Sequence, residues 1–152
     1  MSLHRIELHM HSVLSPCASL EMIPPLIIEK ALEEKIDIIA LTDHNTAANV
    51  PAMLDAAVGT GITVFPGMEL ETSEEIHVLC LFDTLAQLQT FEKIVNSHLP
   101  DYKNNDDFFG YQLVVDKDGN FIRKEERLLH TASTLSIFEA QEQVKRLGGL
   151  FI

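Results

Sequence analysis

The sequence predicts an α/β protein organised around a parallel sheet. Short β-branched, apolar runs alternate with segments of helical period, a rhythm that gives parallel strands joined by crossover helices. The run at 36–41, Ile-Asp-Ile-Ile-Ala-Leu, has the composition of a strand covered on both faces. Histidines and carboxylates recur where such runs break off, and reactive groups of α/β folds collect at those strand ends.

Taken in order, residues 3–10 alternate enough to form the first strand, and residues 12–19 are rich in turn formers. Pro24 and Pro25 suit the first turn of a helix that runs to about Lys35. Residues 36–41 are the second strand. A helix over about 49–58, with Asn49 as its cap, stops at Gly59 and Gly61. Residues 62–65 form a third strand and 76–82 a fourth. The stretch 84–98 places Leu85, Leu88, Phe91 and Val95 on one helical face. Residues 100–110 are loop-like. Asp116-Lys117-Asp118-Gly119 signals a hairpin between 111–115 and 120–123. Ser136-x-x-Glu139 is a capping box opening a last helix that ends at Gly148. Residues 148–152 read as a strand just starting, so the chain is expected to continue past Ile152, and Met1-Ser2-Leu3 to be an expression remnant.

Bulk properties narrow the function. The 152 residues are 46% hydrophobic, enough for one domain over 1–152 with its own core. A formal charge of −12 without a Lys/Arg stripe disfavours long nucleic acid as a partner. No apolar run reaches the ~18 residues that span a bilayer. The N-terminus lacks the apolar core of a signal peptide, so the cytoplasm is the expected compartment. Cys17 and Cys80 form no CxxC pair and suggest no disulfide framework.

The chemistry lies in four places. His9 and His11, two apart on a strand, share a face and can converge on a cation or stand as paired surface histidines. The second strand breaks into Thr42-Asp43-His44-Asn45, residue types that also serve as caps and turns. The third is followed by Pro66-Gly67 and then Glu69 and Glu71, carboxylates that can bridge cations or be solvated. His77 sits in the fourth, as a ligand or a satisfied strand histidine. Four successive strands with His or acidic groups near their ends favour a site of nitrogen and oxygen donors. Such a set suits Zn²⁺, Mn²⁺ or Fe²⁺, with Mg²⁺ as a further option, better than a closed Cys₄ zinc site. The candidate ligands outnumber what one ion needs.

The segments Glu7-x-His9-x-His11, Thr42-Asp43-His44 and Gly67-Met68-Glu69 resemble the first motifs of the PHP (polymerase and histidinol phosphatase) family. The likeness extends over residues 5–82. Residues 11–17 resemble a bacterial subgroup, and 91–149 resemble an insertion seen there. The resemblance implies a partial, distorted barrel of roughly seven βα units with parallel strands. It makes 83–147 a family-variable insertion carrying helices and a small β-hairpin. It implies two or three divalent metal ions at the strand ends, with His9, His11, His44 and His77 as ligands and Glu69 as a bridge. It implies hydrolysis of phosphomonoesters or phosphodiesters by a metal-activated water. Glu69, His44 and Asp43 are then the expected catalytic group, and the expected partner is a small phosphorylated substrate. Glu7 replaces the family's usual Asp and, with Asp43, is read as outer support for a ligand histidine. Cys17 stands where many relatives carry His or Asp and is read as a buried thiol or a soft ligand. The family's later His and Asp-x-His motifs would lie beyond Ile152. Two rivals share the ligand pattern: a metal-dependent amidohydrolase, and a non-catalytic metal-binding regulatory or interaction domain.

Overall fold

A computed structural model describes residues 3–152; Met1 and Ser2, part of the expected expression remnant, lie outside the described residues. The strands are β1 (Ile6–Met10), β2 (Ile38–Leu41), β3 (Thr63–Glu71), β4 (His77–Leu81), β5 (Leu113–Val115), β6 (Phe121–Lys124) and β7 (Leu150–Phe151). The helices are α1 (Pro24–Glu33), α2 (Val50–Ala56), α3 (Leu85–His98), the single turn α4 (Asp106–Phe109) and α5 (Ile137–Arg146). The expected capping box forms between Ser136 and Glu139 at α5, and a second, not read from the sequence, joins Thr84 and Gln87 at α3. No helix of the described residues is long and apolar enough to cross a membrane.

The main sheet has the order β1-β2-β3-β4-β7, and β5-β6 form a separate hairpin. β1, β2 and β3 are parallel, as the βαβ rhythm requires. β4 corrects the expectation of parallel strands throughout, because it pairs antiparallel with β3 and β7 pairs antiparallel with β4. The cause is the length of the connection. β3 continues to Glu71, so only residues 72–76 link it to β4, too few for a crossover. The described strands make a mixed, parallel-rich sheet with α helices.

Two further expectations change. Pro66-Gly67 is not a turn after β3 but lies inside it, which puts Glu69 within the strand. Gly67 is needed for close approach. A Cβ there would sit 2.8 Å from both Leu81 Cδ2 and Thr42 Cγ2, and 3.0 Å from the Leu41 carbonyl oxygen. Gly67→Ala is therefore expected to cost about 1–3 kcal/mol through overpacking, only partly offset by reduced freedom of the unfolded chain. Thermal unfolding tests this, and an unchanged midpoint would contradict it. Asn49 does precede α2, yet its side chain makes no cap bond. It donates instead to Ser12 Oγ and the Leu113 carbonyl and accepts from Val115 N–H, tying the hairpin region to the loop after β1.

The principal core lies between the sheet and α1, α2, α3 and α5, with Ile39, Leu41, Met53, Met68, Leu70, Leu88, Phe91 and Val144 fully buried. A second small cluster of Leu14, Leu99, Val114 and Leu129 seats residues 99–129 on the loop after β1. The stretch read as an insertion is thereby packed against the strand ends.

Candidate metal centre

The ladder between β1 and β2 brings the first two motifs together. Thr42 N–H donates to the Met10 carbonyl, and Thr42 Oγ1 accepts from Met10 N–H. Beyond it, a bridge between His44 and Glu69 extends the β2–β3 pairing. Glu69 N–H donates to the Asp43 carbonyl and Asn45 N–H to the Glu69 carbonyl. Because β4 runs antiparallel, its first residue, His77, lies opposite Glu71 and reaches the same edge. The four segments singled out in the sequence therefore meet at one place.

Glu69 is the centre. It is only 5% exposed, although it carries a carboxylate. Its Oε2 lies 3.1 Å from His9 Nε2, 3.0 Å from His11 Nε2 and 3.4 Å from His44 Nδ1, and its Oε1 lies 3.1 Å from His77 Nδ1. Yet Glu69 Oε2 and His44 Nδ1 make no hydrogen bond of acceptable geometry, and neither does Glu71 Oε2 nearby. These three atoms face a shared space without a partner, although His9 Nε2 and His11 Nε2 meet at 3.2 Å and His77 Nδ1 reaches Glu69 Oε1. Leaving buried polar atoms unpaired costs about 1–3 kcal/mol each, so a cluster of them calls for a partner the protein itself does not supply.

Electrostatics agree with that reading. Burial, helped by its histidine neighbours and only opposed by Glu69, drives the His44 pKa down to about 3. The imidazole is neutral at physiological pH, the form that offers a lone pair. Burial alone would raise the Glu69 carboxyl, but the close imidazoles of His11, His9 and His44 favour its ionised form, outweigh burial and bring it to about 2. The site thus combines a neutral imidazole, that of His44, with an ionised carboxylate.

Asp43 sits behind the cluster. It is 1% exposed and accepts from Ser12 N–H and Ser15 Oγ at Oδ1 and from Ser12 Oγ at Oδ2. Burial raises its pKa against those bonds. Ser15 spends its one hydroxyl proton on Asp43, so it can only accept from His11 Nδ1, 3.1 Å away. That contact places the His11 proton on Nδ1 and leaves the Nε2 lone pair facing Glu69. Glu7 acts elsewhere than on a ring: its carboxylate accepts from the His9 main-chain N–H at 3.0 Å and steadies the strand end.

Cys17 corrects the expectation of a buried thiol. It is exposed, with Sγ 3.5 Å from His44 Nε2, while partial desolvation raises its pKa. Cys80 is the buried thiol, and burial pushes it up as well.

The structure adds His130, which the sequence reading passed over, and brings in Glu71, which that reading left open as bridging or solvated. His130 stacks on His44 with ring centroids 4.5 Å apart and planes 12° apart, and lies edge-on to His77. Glu71 Oε2 lies 3.9 Å from His77 Nε2. Among the described residues, four triads bring their ligand atoms within 4.8 Å of one another: His9/His11/Glu69, His44/Glu69/His77, Glu71/His77/His130 and His11/Cys17/His44. The only signal for His130 was an apolar pair, Leu128-Leu129, ending in histidine inside an irregular stretch. Asn45 brings it in. From a left-handed backbone (φ 54°), its buried amide donates to the carbonyls on either side of His130, those of Leu129 and Thr131. Its Oδ1 accepts from Glu71 N–H.

Comparison with known proteins follows the same residues. The family model of the PHP domain matches residues 7–141. A curated relative, the 5′-3′ exoribonuclease Rnm of Salmonella typhimurium, is 30% identical over 80 residues, covering 49% of this chain and 26% of the relative. The lesion-specific endonuclease PfuEndoQ of Pyrococcus furiosus superposes with a TM-score of 0.66 at 21% identity, over 96% of this chain and 33% of that one. A protein named as a metal-dependent phosphoesterase, from Bifidobacterium adolescentis, gives a TM-score of 0.61 at 16% identity, over 99% of this chain and 66% of the other. The two structural likenesses show a shared fold. This chain spans about a quarter of the curated relative's length.

Proposed function

This chain belongs to the PHP-domain family, and on that premise we propose that it hydrolyses phosphate esters using divalent cations held by its imidazole–carboxylate cluster. The observation that carries the reading is Glu69 Oε2, within 3.4 Å of three imidazole nitrogens and hydrogen-bonded to none. The donor set fits Zn²⁺, Mn²⁺ or Fe²⁺, being nitrogen-rich with carboxylates. Bound divalent cations neutralise phosphoryl oxygens and lower the pKa of a coordinated water.

The residues that would hold them are His9, His11, His44, Glu69 and His77, joined by Glu71 and His130. A neutral imidazole carries one free lone pair, so His11, His44 and His77, each shared between two triads, serve one cation apiece. The cluster thus has room for two or three ions, not four. Cys17 gives the His11/Cys17/His44 triad a softer character than the others. We assign Asp43 to positioning and not to the reaction, since both its oxygens are engaged and it is sealed from solvent. Glu69 and His44 act through ligation. The entry side is where His9 and His77 keep side-chain exposures of 50% and 37%. Within 4 Å, the ionic partners of Glu69 and Glu71 among the described residues are imidazoles and not Lys or Arg. Neutralising a phosphate therefore does not rest on a basic side chain paired with these carboxylates.

The names of the relatives place nucleic-acid phosphodiesters beside small phosphate esters as candidate substrates. The charge of −12 weighs against long strands, which meet an acidic surface outside the cluster. Elemental analysis of the purified protein, paired with a phosphate-ester screen, tests the proposal. The expected result is at least one equivalent of Zn, Mn or Fe, lost together with turnover in a His9→Ala/His44→Ala double variant that still folds. A protein that takes up no metal from millimolar Mn²⁺ or Zn²⁺, or whose turnover survives the double change, would overturn it.

A further inference from the structure

The chain has no Trp and only ten aromatic residues besides histidine, eight Phe and two Tyr. Both tyrosines and two of the phenylalanines fall within residues 102–111. All four face solvent: Tyr102 at 60%, Phe108 at 78%, Phe109 at 38% and Tyr111 at 53%. The core, by contrast, takes Phe82 and Phe91. Phe121 and Phe138 are exposed singly elsewhere, but 102–111 gathers four of the ten rings in one exposed segment, and a clustered apolar surface of this kind marks a contact site.

The segment is held in place. Asp106 pairs with Lys124 on β6, and Asn104 donates to Asp106 Oδ1 and to the Gly110 carbonyl. Asn105 caps the single turn by accepting from Asp107 N–H. The rings of Phe108 and Phe109 stand edge to face, centroids 4.8 Å apart. The segment also borders the cluster. A Cβ on Gly110 would lie 3.4 Å from Pro16 Cβ, so the backbone beside Phe109 and Tyr111 rests on Pro16, and the next residue, Cys17, reaches His44.

We propose that this aromatic segment, packed on the Pro16–Cys17 edge of the metal cluster, stacks the nucleobase of a nucleotide whose phosphate ester lies at the cluster. The inference rests on the phosphoesterase reading and names its substrate class. Ring-on-base stacking is tolerant of base identity and needs no fixed hydrogen-bond pattern. The local charge sorts the two ends of the ligand. Asp106 is neutralised by Lys124, but Asp101 and Asp107 outnumber Lys103 and leave the ring segment mildly acidic, while the cluster attracts phosphate once cations are bound. A base here and a phosphate there is the only polarity that suits both. A long strand would thread further phosphates past these carboxylates, so the occupant is a mononucleotide or the terminal nucleotide of a short single strand.

The two tyrosines give a direct probe, since 3-fluorotyrosine labelling yields only two fluorine signals and both report this segment. Titration with adenosine or uridine monophosphate is expected to shift them, whereas ribose 5-phosphate is not. A Phe108→Ala/Phe109→Ala variant should bind the nucleotides about 10-fold more weakly and raise their KM with little change in kcat. Equal responses to nucleotide and ribose 5-phosphate, or no response to either, would overturn the proposal, as would unaltered nucleotide binding in the double variant. Turnover of glycerol phosphate, measured in parallel, separates the two readings. If it persists while the fluorine signals ignore the base, only the stacking fails. If the base is bound but no ester is cleaved, the hydrolase reading fails.

Discussion

Converting Glu69 to glutamine is expected to lower metal content below that of the parent, by emptying the two triads it joins, and to abolish phosphate-ester turnover while the protein stays folded. The change keeps the volume and shape of the side chain, so the packing of β3 between β2 and β4 is preserved. It removes the one ionised group that faces His9, His11, His44 and His77 together. An amide presents one oxygen and an NH₂ that cannot ligate, so at least one of the two edges Glu69 offers is lost. Losing even an outer partner of a metal ligand costs about 10–100-fold in affinity, and loss of a shared ligand should exceed that. Metal content by elemental analysis and secondary structure by circular dichroism are the two readouts. Full metal occupancy in the folded variant would remove Glu69 from the ligand set, and the triads built on it with it.

How much of this was legible in the sequence follows from what kind of interaction fixes each part. The αβ rhythm, the Ser136–Glu139 capping box and the Asp116–Gly119 hairpin are local, and local pattern suffices for them. His9 and His11 stand out by their spacing of two on one strand, His44 because it follows an apolar run that ends abruptly, and His77 because it lies in such a run. The direction of β4 was not readable as long as Pro66-Gly67 was taken for the end of β3. Gly67 is a packing glycine and not a turn, and that depends on Thr42 and Leu81, remote in sequence. His130 was hidden for a similar reason. It lies on an irregular stretch, 86 residues from His44 by number, and side-chain bonds to backbone place it where periodicity says nothing. Asn49 looked like a cap, and the competing bonds to Ser12, Leu113 and Val115 took its amide instead.

Asn45 is the residue on which the late-arriving half of the cluster depends, and Asn45→Ala is expected to show it. The side chain is fully buried and makes three bonds, at 2.7, 2.8 and 3.0 Å, to Leu129 O, Thr131 O and Glu71 N–H. Alanine leaves two carbonyls and an N–H without partners, at about 1 kcal/mol or more apiece. It must also hold φ at 54°, a left-handed conformation that asparagine tolerates better than alanine, which adds a fraction of the roughly 1–2 kcal/mol that this backbone costs. The total loss is expected to be about 3–5 kcal/mol by chemical denaturation. Asn45→Gly separates the terms, because it loses the same bonds but not the backbone freedom, and should be less destabilised by about 1 kcal/mol. Asn45→Asp keeps the acceptor for Glu71 N–H but sets a carboxylate against two carbonyl oxygens, so it should be no better than alanine. With the clamp gone, His130 loses its stacking on His44, and Glu71 and His77 lose their third ligand. Where the variants remain folded, a cation held by Glu71, His77 and His130 should be lost before one held by His9, His11 and Glu69, visible as a fall in metal stoichiometry. Stability within 0.5 kcal/mol of the parent in Asn45→Ala, or a full metal complement in Asn45→Gly, would show that His130 reaches the cluster without this clamp.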